Sequence, residues 1–138
     1  MTLYAYTDGA SRGNPGESGI GIILKDSTGK VVYTASGYIG TATNNSAEYQ
    51  ALIACLKKAR ETKCTRLILH SDSELMVRQL EGTYKVRDKN LRRYYQKAME
   101  LLKDAPFDFS IRHVVRDENR EADLLANSGI DRRLRQRV

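Results

Sequence analysis

Three strand-like runs follow one another near the start of the chain, and they restrict its fold more than any other feature. Residues 3–8 alternate as a strand does, and residues 19–26 and 30–40 are rich in β-branched and aromatic residues. Glycine-containing turn sequences separate the runs, and short turns join antiparallel neighbours. The runs therefore predict a three-stranded antiparallel meander, and any fold for this chain has to begin with hairpins.

Helical and strand-like patterns alternate in the rest of the chain. Helical spacing, capping residues and stop signals predict four helices, over residues 46–62, 73–82, 89–106 and 118–135. Short apolar runs at residues 66–72 and 107–115 predict two further strands of the kind found in parallel sheets. This order implies an α/β fold with a mixed five-stranded sheet, three antiparallel strands and then parallel strands, flanked by helices.

Length and composition indicate one basic domain. A chain of 138 residues can bury about two thirds of its unfolded surface, and no repeat or linker marks a second domain. We assign residues 1–130 to a single domain and residues 131–138 to a basic C-terminal tail. Two cysteines, Cys55 and Cys64, form neither a CxxC pair nor a cluster with His, which argues against a zinc site or disulfide framework. The net charge of +6 favours a polyanionic partner without identifying one.

Targeting signals are not evident in the sequence. No apolar stretch approaches the roughly 20 residues of a membrane span, and no basic region followed by an apolar run marks a secretory start. We therefore expect a cytoplasmic protein without membrane contact, and a monomer.

Four acidic residues fall where an α/β sheet gathers ligands. Asp8 and Asp72 close the first and fourth predicted strands, and ligands bind at such strand ends. Glu48 and Asp123 lie near the starts of two predicted helices, where they can point to the same end of the sheet. Each acid also has an ordinary structural explanation. Asn45 and Glu48 can form a capping box, Asp72 can cap the next helix, Asp8 can end a strand in a turn, and Asp123 can be solvent exposed.

Convergence of these four acids would require a positive charge between them. Clustered carboxylates repel one another and raise one another's pKa values. Mg²⁺ prefers oxygen ligands, and two such ions about 4 Å apart can stabilise the attacking and leaving oxygens of a phosphoryl displacement. The four acids, if they converge, are therefore compatible with an in-line phosphoryl displacement.

Four ordered motifs connect these acids to a known family. "YTDGASRGNPG", "TNNSAEYQAL", "LILHSDSELMVRQL" and "RDENREADLLAN" together resemble type 1 ribonuclease H, from residue 3 to about residue 130. The resemblance implies the ribonuclease H-like fold and a metal-dependent endonuclease that hydrolyses the RNA strand of RNA/DNA hybrids and leaves 5′-phosphate and 3′-hydroxyl ends. It implies two Mg²⁺ ions, with Mn²⁺ as an alternative, and an RNA/DNA hybrid as partner.

The resemblance also assigns residues. Asp8, Glu48, Asp72 and Asp123 correspond to the family's metal-binding carboxylates, with Asp8 bridging the ions. Residues that would contact the hybrid and read its 2′-hydroxyls are Gly9, Ala10, Ser11, Arg12, Asn14, Asn44 and Asn45, and Thr43 would hold a DNA-strand phosphate. The glycines after Asp8 would let the backbone of the hybrid approach closely. A turn at Asn14 and a helix cap at Asn44 and Asn45 would explain the same sequence in structural terms.

Two segments depart from many bacterial relatives. Those relatives carry a catalytic His in a glycine-rich loop before the fourth acid, whereas this chain has "IRHVVRDENREAD", where Arg116 or His113 could assist. His113 falls within a predicted strand, so a structural role is equally open, and Arg116 could be a solvated side chain. The relatives' Trp-containing basic protrusion is also missing, and a short basic cluster replaces it, with Lys85, Arg87, Lys89, Arg92 and Arg93.

Two alternatives to a hybrid-specific endonuclease stay open from the sequence. One is another nuclease of the same fold, such as an exonuclease or a transposase core. The other is a catalytically idle module that binds hybrids without cleaving them.

Overall fold

The strands form one mixed five-stranded sheet, as predicted. A computed structural model of the chain describes residues 1–136. The strands are β1 (Thr2–Gly13), β2 (Gly16–Lys25), β3 (Val31–Ala42), β4 (Arg66–Ser71) and β5 (Asp108–His113). Their order in the sheet is β3-β2-β1-β4-β5, with β1, β2 and β3 antiparallel and with β4 and β5 parallel to β1.

All four predicted helices are present, and a short 3₁₀ helix at Arg116–Asn119 precedes the last of them. The helices are α1 (Asn44–Glu61), α2 (Glu74–Leu80), α3 (Lys89–Lys103) and α4 (Arg120–Gln136). Side-chain oxygens of Thr43, Ser73 and Asp88 accept backbone N–H groups at the starts of the first three. Such caps satisfy donors that the first helical turn cannot bond itself.

The helices cover both faces of the sheet. α1 packs on one face, where its side chains join Leu3 and Leu24 in the main core, and α3 lies against α1. α4 packs against β2, β3 and β1 on the other face, where Gly21 lies against the backbone of Ala122. Alternation along β2 explains this division, because Leu24 and Gly21 point to opposite faces. Among residues 1–136, no helix combines the length and apolar character needed to cross a membrane.

Asp8 does not end the first strand, contrary to the sequence-based expectation. β1 continues beside β2 as far as Gly13, which pairs with Gly16 at the hairpin. Only the parallel pairing with β4 stops early, at Tyr6 and its partner His70. Asp8 therefore stands just beyond the parallel part of β1, and residues 9–12, which were expected in a loop, belong to the strand because β2 supplies their hydrogen-bonding partners.

The predicted C-terminal tail is largely helical. α4 continues through residues 131–136, and residues 137 and 138 lie outside the part of the chain that the structure describes. Arg132 donates from Nη2 to the carbonyl oxygen of Ser36 at 2.8 Å, and the Arg133 guanidinium lies 5.4 Å from the ring centroid of Tyr38. These contacts attach the end of α4 to β3.

Candidate active site

Three carboxylates from three elements converge beyond the parallel part of β1. Oxygen atoms of Asp8 in β1, Glu48 in α1 and Asp72 after β4 all lie within 4.8 Å of one another. Asp8 and Glu48 are buried, with 4% and 3% of their surface exposed. The middle of β1, the end of β4 and one helix thus bring together residues that are far apart in sequence. The three acids converge as predicted, although Asp8 does not end its strand.

Gly9 places Glu48 in this group. The Gly9 N–H donates to Glu48 Oε1 at 2.7 Å. A Cβ on Gly9 would lie 2.2 Å from the backbone carbon of Ala47, so α1 can approach β1 only because residue 9 has no side chain. Gly9 therefore permits the close approach of α1, which is part of the protein itself. The sequence-based prediction was that the glycines after Asp8 permit the approach of the hybrid's backbone.

Glu48 is not part of a capping box. α1 begins at Asn44, so Glu48 is its fifth residue, and the side chain of Thr43 supplies the cap by accepting the Ser46 N–H at 3.1 Å. Asn45 lies inside the first turn of the helix. Asp72 is not a cap either, because Ser73 Oγ accepts the Met76 N–H at 3.2 Å. Thr43, Asn44 and Asn45 are all of types that can cap a helix, so the sequence alone did not decide at which of them α1 begins.

Asp123 reaches the same site from α4. It lies in the first turn of the helix, which packs so closely on β2 that a Cβ on Gly21 would lie 2.2 Å from the Ala122 carbonyl oxygen. Asn119, immediately before α4, is buried and donates from Nδ2 to the carbonyl oxygen of Thr7 at 2.8 Å. These contacts fix the start of α4 against the strand that carries Asp8.

Burial and mutual repulsion make the ionised state of the cluster unfavourable. Burial, together with the charges of Glu48 and Asp72 and a hydrogen bond with Asp123, raises the pKa of Asp8 to about 10. Burial also raises the pKa of Glu48, with Asp72 contributing, while the Gly9 N–H and the charge of Arg116 oppose the rise. Within residues 1–136, no Lys, Arg or His forms an ion pair with Asp8, Glu48 or Asp72.

The donor set fits a hard divalent cation. It consists of carboxylate oxygens, two of its members are buried, and among the described residues no ion pair balances its charge, as buried acids normally require. A divalent metal ion with oxygen preference would supply that charge. Asp123 stands outside the group of three within 4.8 Å but lines the same cavity.

The cavity around the carboxylates has a volume of about 180 Å³. Its lining residues are Asp8, Gly9, Ala10, Ser11, Asn44, Glu48, Asp72, Arg116, Asp123 and Asn127. All four predicted carboxylates are therefore together, along with several predicted substrate contacts. Arg116 belongs to this lining, whereas His113 is the exposed last residue of β5 and does not. His113 is exposed, and its role, structural or catalytic, stays a prediction.

The other predicted substrate contacts lie nearby and have partners within the protein. Asn14, Thr43 and Asn45 line a neighbouring cavity of about 160 Å³. Asn14 Oδ1 accepts the Asn44 N–H at 3.1 Å, which ties the β1–β2 hairpin to α1. Arg12 forms an ion pair with Asp131 at 2.6 Å. These bonds show structural roles, and contact with a nucleic acid stays a prediction for each of these residues.

A larger groove adjoins these cavities on the side of α3. It has a volume of about 710 Å³, and its lining includes Thr43, Gln50, Arg93, Tyr94 and Lys97. Arg93 and Lys97 are exposed, one turn apart on the helix. The groove therefore presents two cations and an aromatic ring beside the start of α1.

Sequence reasoning missed Asn119 and Asn127 as members of the site. Both occur in the motif "RDENREADLLAN", and the i+4 spacing of Asp123 and Asn127 on a helix was a usable signal. The bond from Asn119 to Thr7 joins residues 112 positions apart and had no local signal.

Comparisons of the sequence and of the structure with known proteins identify the same relatives. The sequence matches the family described as "Reverse transcriptase-like" over residues 6–129. It is 45% identical over 129 residues to ribonuclease HI of Halobacterium salinarum, which covers 94% of this chain. The structure is similar to that of RNase H1 from the halophilic archaeon Halobacterium salinarum, with a TM-score of 0.90, 45% identity and coverage of 95% of this chain and 98% of that one.

A second solved structure contains a nucleic acid. It is LC11-RNase H1 in complex with RNA/DNA hybrid, with a TM-score of 0.92, 37% identity and coverage of 96% of this chain and 99% of that one. The chain thus spans nearly the whole of both crystallised chains, but only 64% of the length of the curated Halobacterium relative.

Proposed function

The chain belongs to the type 1 ribonuclease H family, and we propose that it is an endonuclease that hydrolyses the RNA strand of RNA/DNA hybrids, leaving 5′-phosphate and 3′-hydroxyl ends. The observation that carries the proposal is the buried group of Asp8, Glu48 and Asp72, with carboxylate oxygens within 4.8 Å of one another. The relative that is crystallised with an RNA/DNA hybrid supports the choice of substrate.

Asp8, Glu48, Asp72 and Asp123 would hold the metal ions, which we propose to be two Mg²⁺ with Mn²⁺ as an alternative. When bound, such ions supply an activated water and stabilise the charge on the leaving oxygen. Asp8 interacts with each of the other three acids, which all raise its pKa, so Asp8 would be among the residues that hold the metal ions. The Gly9 N–H donates a hydrogen bond to Oε1 of Glu48 and thereby orients the other oxygen of this carboxylate.

The protein's remaining site residues would bind and orient the hybrid. Gly9, Ala10, Ser11 and Asn44 line the carboxylate cavity, and Asn14, Thr43 and Asn45 line the cavity beside it. Backbone N–H groups and Asn amides can recognise 2′-hydroxyls in the wide minor groove of the hybrid. Arg116, which is exposed and lines the carboxylate cavity, would contact the phosphate near the cut.

Two alternative functions make predictions that differ from those of this proposal. An exonuclease or transposase-like nuclease would also use clustered acids, and it would require a free end or a specific junction. An idle hybrid-binding module would bind without turnover. The presence of all four acids around one cavity favours an active enzyme over the idle module.

Cleavage of a blocked hybrid tests all three readings. The substrate is a covalently closed circular duplex in which one strand contains an internally labelled RNA segment, so that the RNA has no free end. It is incubated with Mg²⁺ or with EDTA, beside a hybrid with free RNA ends, single-stranded RNA and duplex DNA. Internal cuts confined to the RNA of the hybrid, lost with EDTA and with Asp8→Asn, would support the proposal. Cutting that requires a free end would support an exonuclease, and metal-independent binding without cutting would support the idle module. An exposed acid far from the site, Asp108→Asn, serves as the matched control.

The monomeric state and the cytoplasmic location stay predictions from the sequence. Light scattering at micromolar concentration measures the first, and fractionation of cells that express the tagged chain measures the second.

A further inference from the structure

Three residues on one stripe of α4 lead from the carboxylate cavity to the end of the β1–β2 hairpin. Asp123, Asn127 and Asp131 are spaced four residues apart, which places them one above another on a helix. Arg12, near the end of β1, reaches the second and third of these side chains. The network joins positions 115 residues apart. Asp123 and Asn127 line the carboxylate cavity, whereas Arg12 and Asp131 lie outside that lining.

The guanidinium of Arg12 determines which way the Asn127 amide points. Arg12 Nη2 lies 3.1 Å from Asn127 Oδ1, and a guanidinium can only donate, so the oxygen of the amide has to face Arg12. The NH₂ group of Asn127 is then directed to the other side. There it donates to Asp123 Oδ1 at 3.3 Å and to the Asp123 carbonyl oxygen at 3.1 Å.

Arg12 is itself held in place by α4. Its Nη1 lies 2.6 Å from Asp131 Oδ1, although the two side chains are 39% and 47% exposed. Its Nη2 also lies 3.5 Å from the Asn127 carbonyl oxygen. The planar guanidinium can make these contacts at the same time, which a Lys ammonium on a flexible stem cannot reproduce.

We propose that Arg12 and Asn127 are positioning residues for Asp123: Arg12, anchored by Asp131, fixes the Asn127 amide so that its NH₂ group holds one oxygen of the Asp123 carboxylate. The inference rests on the proposed function, because it concerns the fourth acid of the metal site. It assigns Arg12 a role that differs from direct contact with the hybrid.

The two roles of Arg12 predict different kinetics. A positioning residue orients the Asp123 carboxylate within the proposed metal site. Its loss therefore lowers kcat and weakens the dependence of the rate on Mg²⁺, while the KM for the hybrid stays nearly constant. A phosphate contact acts on binding, so its loss raises KM and reduces the salt dependence of binding. Asp131 separates the roles most sharply, because removing an acid favours binding of a polyanion but removes the anchor of Arg12.

The first experiment compares steady-state kinetics of Arg12→Ala, Arg12→Lys, Asn127→Ala and Asp131→Ala with the control Glu121→Ala, an exposed acid elsewhere on α4. Residues that orient metal ligands typically change activity or metal affinity about 10- to 100-fold. We expect about a 10-fold loss of kcat for Arg12→Ala and Asn127→Ala, a smaller loss for Asp131→Ala, and little rescue by Arg12→Lys. The double variant Arg12→Ala/Asn127→Ala should be no worse than either single variant. Additive losses, or a raised KM with unchanged kcat, would overturn the proposal.

The second experiment does not depend on turnover. In the metal-free protein, the side-chain NH₂ signals of Asn127 are assigned by NMR. Both Arg12→Ala and Asp123→Asn should shift these signals, and Glu121→Ala should not. If the signals do not move with Arg12→Ala, the network is absent and the proposal fails. If they move but the wild-type protein cleaves no hybrid, the network stands and the proposed function is the part that fails.

Discussion

The Gly9 N–H donates a 2.7 Å hydrogen bond to Glu48 Oε1, although the two residues are 39 positions apart. This bond joins β1 to α1 at the point where the strand carries Asp8. The geometry of the first two acids is therefore set by a backbone group and by the missing side chain of residue 9. A carboxylate that accepts a backbone N–H in a buried site also gains a strong, charge-assisted hydrogen bond when it is ionised.

Replacing Gly9 by Ala should damage both folding and activity. The new Cβ would meet the backbone of Ala47 at 2.2 Å, so α1 has to move and carry Glu48 with it. Overpacking of this kind typically destabilises a protein by about 1–3 kcal/mol. Urea denaturation measures the stability, and hybrid cleavage measures the activity. Gly37→Ala is the matched control, because its Cβ would meet only Ile20 Cγ1 at 3.7 Å. Equal effects at the two glycines would contradict this account.

Removing the charge of Asp8 should stabilise the metal-free protein while abolishing cleavage. Because the pKa of Asp8 is raised from 3.8 to about 10, the folded state holds a proton that the unfolded state has released between these pH values. Stability therefore falls as the pH rises through this range. Asp8→Asn cannot release that proton, so its melting temperature in EDTA should exceed that of the wild type increasingly from pH 5 to pH 9.

Asp26 provides the control of opposite sign. A hydrogen bond from Thr28 lowers the pKa of this exposed carboxyl, so its ionised form favours folding above its ordinary pKa, and that contribution is lost as the pH falls. Asp26→Asn should therefore be no more stable than the wild type at pH 8. Adding Mg²⁺ should raise the melting temperature of the wild type and not of Asp8→Asn. A Mg²⁺ response that survives in Asp8→Asn would argue against the proposed metal site.

Arg116, rather than His113, should affect turnover. Arg116 lines the carboxylate cavity and opposes the rise in the pKa of Glu48, whereas His113 is exposed at the end of β5. We expect Arg116→Ala to lower kcat about 10-fold or more, because loss of a preorganised donor that stabilises developing charge typically costs about 100- to 1,000-fold when the donor contacts that charge directly. His113→Ala and the control Arg120→Ala should keep kcat within about twofold. A large loss with His113→Ala would place the catalytic assistance on β5.

The sequence predicted the elements and the four acids because both depend on local patterns. Alternation, helical spacing and capping residues are properties of neighbouring residues. The predicted positions of the acids suggested that they converge, and the resemblance to type 1 ribonuclease H assigned them to one site. The continuation of β1 beyond Asp8 was missed because the partner of residues 9–13 is set by the β2 hairpin. The link from Arg12 to Asn127 spans 115 positions, and side-chain partners at that separation leave no periodic signal.

Asn119 should be important for stability despite lying outside the proposed ligand set. It is buried and donates from Nδ2 to the Thr7 carbonyl oxygen at 2.8 Å, next to Asp8. Asn119→Ala leaves that acceptor without a partner, which typically costs about 1–3 kcal/mol. Chemical denaturation measures the loss, and Glu118→Ala, the exposed neighbour, is the control. If the two variants unfold at the same denaturant concentration, the bond to Thr7 does not stabilise the start of α4.

The groove between α3 and the start of α1 should contribute to hybrid affinity through its cations. Arg93 and Lys97 are exposed in the lining of this groove, beside Thr43. If Lys97 contacts a phosphate, Lys97→Ala should raise the KM for the hybrid without changing kcat, and it should reduce the slope of log affinity against log salt by about one. Lys103→Ala, an exposed Lys in the last turn of the same helix, removes the same charge away from the groove. Measuring binding at several salt concentrations separates a local phosphate contact from the effect of net charge. If the slope of log affinity against log salt changes equally in Lys97→Ala and Lys103→Ala, Lys97 makes no phosphate contact in the groove.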